Sequence, residues 1–86
     1  MTDTVQVWLV ERDYTDKGLV NLVYATTDGE RYLRRQLSEA LLMRTDVTAG
    51  RDVESDRLEL TDEDMRDQYR SEASRMAEKH EPGETV

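Results

Sequence analysis

Two short apolar segments near the start of the chain constrain it most. Val5-Gln6-Val7-Trp8-Leu9-Val10 and Leu19-Val20-Asn21-Leu22-Val23-Tyr24-Ala25 flank the turn-forming sequence Asp13-Tyr14-Thr15-Asp16-Lys17-Gly18. Their β-branched and aromatic residues favour a pleated surface, and the Asp and Gly residues between them supply local hydrogen bonds and positive φ, so the stretch predicts a β-hairpin. Alternation puts Val5, Val7 and Leu9 on one face and Trp8 and Val10 on the other. In the second strand Leu19, Val23 and Ala25 oppose Val20, Leu22 and Tyr24, with Trp8 and Tyr24 expected on one shared face. Both faces are apolar, so both need cover.

The rest of the chain has to supply that cover. Thr27-Asp28-Gly29-Glu30 has the spacing of a capping box and predicts a helix over 31–44, with Leu33, Leu37, Ala40 and Leu41 on its apolar stripe. Arg31, Arg34 and Arg35 then share one solvent-facing side. Residues 47–53 form either a third strand or an extended connection. Thr61-Asp62-Glu63-Asp64 predicts a second helix that runs to His80, with a Thr cap and acids in its first turn. Its stripe of Met65, Tyr69, Ala73, Met76 and Ala77 is thin. Glu81-Pro82-Gly83 stops it, leaving residues 81–86 as a disordered tail. The fold class is α+β: an antiparallel β-hairpin with a possible third strand packed with two α-helices, in the order β-β-α-(β)-α. Residues 1–80 make a single domain.

An 86-residue chain without cysteine has no disulfide or thiolate metal site to support its small core. The opening Met1-Thr2-Asp3-Thr4 lacks the basic region of a signal peptide, and no apolar run is long enough to cross a bilayer, so the expected location is cytoplasmic with no membrane contact. Twenty acidic residues against twelve basic ones give a net charge of −8, and the basic set holds only two lysines, Lys17 and Lys79. Such a chain repels itself at ordinary ionic strength, whereas at molar salt the Debye length falls to about 3 Å. A salt-rich, halophilic cytosol fits. The same field disfavours nucleic acid as a partner.

The segments Val7-Trp8-Leu9-Val10-Glu11-Arg12-Asp13-Tyr14 and Leu22-Val23-Tyr24-Ala25-Thr26-Thr27-Asp28-Gly29-Glu30-Arg31 resemble a group of small, acidic, uncharacterised haloarchaeal proteins. The resemblance implies the same salt-rich cytoplasm and carries no activity, cofactor or site residue with it.

Candidate chemistry is sparse. Residues 31–50 hold four arginines against Glu39 and Asp46, a local balance of +2, so Arg31, Arg34 and Arg35 are the candidate anion-binding residues for a phosphate, nucleotide or RNA. Against that stands pairing with the chain's own acids. The carboxylate clusters Asp52-Glu54-Asp56 and Asp62-Glu63-Asp64 fit no EF-hand spacing, and no metal site is expected. His80 is the sole histidine and sits at a helix end without an oriented partner, and none of Ser38, Ser55, Ser71 and Ser74 lies in a nucleophile context. No catalytic set and no cofactor site follow, and the chain reads as non-enzymatic. If one helix covers one hairpin face, Trp8, Val10, Val20, Leu22 and Tyr24 are left as interface candidates, for a homodimer first and another protein second. The sequence thus predicts a small interaction protein, with an anion-binding module on the Arg face as the alternative.

Overall fold

The computed structural model describes residues 3–86. It is α+β, with one five-stranded antiparallel sheet in the order β4-β1-β2-β3-β5. The strands are β1 (Thr4–Tyr14), β2 (Leu19–Ala25), β3 (Arg31–Ser38), β4 (Gly50–Glu54) and β5 (Glu59–Leu60). A short helix α1 (Glu39–Leu42) follows β3, and a long one, α2 (Arg66–Lys79), follows β5. Single 3-10 turns at Ser55–Arg57 and Glu63–Met65 lead into β5 and α2.

The expected hairpin is β1–β2, turning at Gly18 with φ +75. The expected first helix is corrected: residues 31–38 are a strand paired with β2, and only Glu39–Leu42 is helical. Leu33 and Leu37, four apart, satisfy both a helical and a strand period, and β2 offers a free edge that decides between them. The box read at Thr27–Glu30 is a tight turn. The Gly29 amide donates to the Thr26 carbonyl, Gly29 takes φ +74, and the Asp28 carboxylate accepts from the Glu30 amide. The possible third strand is β4, and the second helix begins at Arg66 after its 3-10 turn rather than on a Thr61 cap.

β4 and β5 lie at opposite edges of the sheet, yet only residues 55–58 separate them. Five Cα steps reach about 17 Å, whereas four strand spacings across a flat sheet amount to about 19 Å. The sheet therefore curls and the 3-10 turn crosses its mouth. Val7, Leu9, Val20, Leu22, Tyr24, Leu33, Leu37 and Val53 fill the inside of the curl, closed by Val47, Leu42 and Leu58. The opposite face carries Trp8, Val23 and Ala25 and is covered by Tyr69 and Ala73 of α2.

Residues 81–86, expected as a disordered tail, instead lie along 47–50. Glu84 and Pro82 carbonyls accept from the Ala49 and Gly50 amides at 2.8 and 3.0 Å, and the Val86 amide donates to Val47 at 2.9 Å. The backbone groups of 47–50 not used by β1 need partners, and a segment after a helix stop returns to supply them.

Candidate functional site

One hollow, 770 Å3, opens over Ala77–Glu84 around the contact between His80 Nδ1 and Glu84. A 360 Å3 groove of Leu9, Val10, Met76 and Val86 runs beside the free upper edge of β1. A third hollow, 190 Å3, lies between sheet and helix and is lined by Glu11, Tyr32, Arg34, Thr61, Asp62 and Tyr69 together with Met65. Only this last one gathers opposite charges, two phenols and a buried hydroxyl in one place.

Its geometry starts in β1. The register shifts between Leu9 and Glu11, so Trp8 opposes Ala25 while Glu11 opposes Val23. Val10 is the extra residue of a β-bulge, and the bulge turns Glu11 onto the helix-covered face that simple alternation would deny it. Val23 also opposes Arg34 of β3, so Glu11 and Arg34 flank it in one cross-strand row. In the next row Ala25 opposes Tyr32, whose ring meets that of Tyr69 at 6.0 Å between centroids with planes at 60°. Edge-to-face packing of this kind suits the ring quadrupoles.

Thr61 and Asp62 arrive from the segment after β5. The Thr61 amide donates to the Glu30 carbonyl at 2.9 Å, and its own carbonyl accepts from Arg66 Nε at 3.3 Å, which pins the residue between the 26–31 turn and the start of α2. Thr61 is only 3% exposed, and its Oγ1 has no hydrogen-bond partner among the described residues. A buried, unpartnered hydroxyl is costly, and a wall of a polar cleft is where a ligand can satisfy it. Arg34 forms no ion pair among the described residues, where the pairs are Arg70–Asp67, Arg75–Glu72 and His80–Glu84.

The charges converge on the phenols. A hydrogen bond to Glu59, with burial, pushes the Tyr32 phenol above its ordinary value, and Arg34 and Asp62 act on it in opposite senses. Burial pushes Tyr69 up too, with Glu11 and Asp62 adding to the rise and Arg34 opposing it. Both phenols therefore stay protonated at neutral pH and serve as hydrogen-bond donors and acceptors.

The residues singled out in the sequence are redistributed. Arg31, Arg34 and Arg35 do not share a face, because strand alternation replaces helical spacing: Arg35 opposes Leu22 on the inside of the curl, Arg31 opposes Leu60, and Arg34 stands alone on the helix side. Trp8, Val20, Leu22 and Tyr24 are buried in the chain's own two clusters and Val10 is half-buried, so the faces expected to form an interface are covered by α2 and by the crossing segment. Trp8 and Tyr24 are on opposite faces, contrary to the alternation reading, since Leu9 rather than Trp8 opposes Tyr24. Of the sequence candidates only Arg34 enters the cleft. Glu11, Thr61, Asp62 and the tyrosine pair were not grouped by spacing, and the one usable signal is Val10, an apolar residue just before a run of charged ones. Among the described residues no three His, Cys, Asp or Glu side chains converge as metal ligands, and no helix is long and apolar enough to cross a membrane.

Comparison with curated proteins and with solved structures found no match to either. One family profile does match, over residues 1–86, the whole of the sequence. The chain belongs to that family, DUF7967, a family of unknown function.

Proposed function

We propose that this chain is a non-enzymatic binding protein whose site is the cleft between β3 and α2. The observation that carries the reading is the β-bulge that brings Glu11 into one cross-strand row with Arg34, on the wall of a hollow also lined by Tyr32, Tyr69 and Thr61, whose hydroxyl has no partner among the described residues. Bulges beside functional sites re-aim side chains in this way, and a concave site with a few converging polar groups is where a small ligand is held. At 190 Å3 the cleft suits a small polar solute, since drug-sized ligands occupy roughly 300 Å3 or more.

A binding role is favoured over catalysis because the cleft holds no nucleophile with an adjacent base, and its protonated phenols suit recognition. Arg31 and Arg35 lie apart from Arg34, which weakens the nucleotide and RNA reading. Self-association through the hairpin loses its ground, because both faces find cover within the chain; we infer a monomer. A net charge of −8, with ten arginines to two lysines, supports residence in a salt-rich cytosol.

The test is a thermal-shift screen of small solutes (carboxylates, amines, amino acids, sugars) against the protein and its Arg34→Gln variant. A solute that raises the midpoint of the parent and not of the variant supports the cleft. Equal shifts in both, or none with any solute, contradict it.

A further inference from the structure

Resting on the reading of this cleft as a binding site, we propose that its ligand is a small amino acid, held as a zwitterion with its carboxylate on Arg34 and its ammonium toward Glu11 and Asp62. Three features of the lining lead there. Arg34 is the one cation of the cleft and has no intramolecular ion pair among the described residues, and its planar fork matches a carboxylate. Glu11 and Asp62 line the same hollow and both act on the Tyr69 phenol, so two carboxylates and one guanidinium surround a space too small for their long-range fields to be separate. A bare anion meets two like charges there, and a bare cation meets Arg34. A molecule carrying both signs a few ångströms apart meets neither penalty.

Thr61 refines the class. It lines the cleft, and its buried hydroxyl has no partner among the described residues and can accept a hydrogen bond. A primary ammonium donates three, enough for Thr61 Oγ1 and both carboxylates. A quaternary ammonium donates none and would leave the hydroxyl as it stands. The phenol of Tyr69 adds an O–H donor for a carboxylate oxygen, and the rings of Tyr32 and Tyr69 add surface beside the cation. A side chain of the order of glycine, alanine or serine fits the 190 Å3 volume.

The experiment is calorimetric titration of the full chain with glycine and serine, and in parallel with acetate, methylammonium and glycine betaine. Glycine or serine should bind, with the three analogues weaker by about tenfold or more, because each lacks one of the recognised groups. Arg34→Gln should reduce binding of the amino acid by about tenfold. Thr61→Val should reduce it as well while leaving the unfolding midpoint unchanged or raised, a pairing that a purely structural threonine would not give. Betaine or acetate binding as well as glycine overturns the amino-acid assignment. Saturable binding of some other solute class, lost in Arg34→Gln, overturns the assignment and leaves the cleft as a binding site. No binding by any member of this set or of the broader screen overturns both.

Discussion

Tyr32 of β3 and Tyr69 of α2 meet edge to face at 6.0 Å, and both rings line the cleft. The same two phenols are held above their ordinary pKa, Tyr32 by Glu59 and burial, Tyr69 by burial and Glu11. A raised folded-state pKa means that the unfolded chain releases these protons first. The stability they contribute is complete below about pH 10, the ordinary tyrosine value, and is lost as pH rises through the folded-state values. Urea midpoints measured across the alkaline range should fall from about pH 10 upward, and Tyr69→Phe should flatten the fall. A parent and variant with parallel profiles would contradict the burial of this phenol.

Gly29 approaches α2 more closely than any side chain could. A Cβ there would stand 2.4 Å from the Arg66 carbonyl oxygen and 2.8 Å from the Arg70 amide nitrogen, and the residue also has φ +74. Gly18 has nearly the same φ, +75, and a Cβ there would meet nothing within 4 Å among the described residues beyond its chain neighbours. The pair separates backbone conformation from contact. Gly18→Ala should cost about 1–2 kcal/mol, the left-handed penalty alone. Gly29→Ala should cost at least about 2 kcal/mol more through displacement of the helix start, and should weaken ligand binding with it. Equal losses in urea unfolding would refute the close approach.

The segment 81–86 has structural weight. Deleting it removes three backbone hydrogen bonds to residues 47–50 and the contact of Val86 with both clusters. At about 0.5–1.5 kcal/mol for each hydrogen bond, the loss should be roughly 2–4 kcal/mol. Amide exchange at Ala49 and Gly50 should accelerate in the shortened chain, while that of Leu22 changes only through the lower global stability.

Charge and assembly are checked together. With a net charge of −8, the melting midpoint should rise from low to molar KCl as self-repulsion is screened. Light scattering through the same series should return the mass of one chain, because Trp8, Val20, Leu22 and Tyr24 are already enclosed. A flat midpoint would contradict the salt-rich setting, and a doubled mass would contradict the monomer.

The sequence made the hairpin and the last helix legible because each has one strong signal: β-branched runs around an Asp-Gly-bearing turn, and an acidic first turn before a periodic stripe. It failed at residues 31–38, where Leu33 and Leu37 fit either period and only the free edge of β2 settles the matter. Asp28-Gly29 between two apolar segments was the hairpin signal available there. Burial of both hairpin faces was also out of reach, since it depends on the crossing at 55–58 that curls the sheet, a tertiary event without a local motif. The cleft was hidden for a related reason. Glu11 joins it through a one-residue bulge, and Thr61 through a turn 50 residues away, so neither spacing nor composition could bring them to Arg34.

The most direct measurement is an amide chemical-shift map of the full chain titrated with the solute that most raises its melting point. If the cleft between β3 and α2 is the site, the saturable shifts will gather at Glu11, Tyr32, Arg34, Thr61, Asp62 and Tyr69, and will vanish in Arg34→Gln. Shifts that instead gather around His80 and Glu84, or along Leu9, Val10 and Met76, would place binding in another hollow and contradict it.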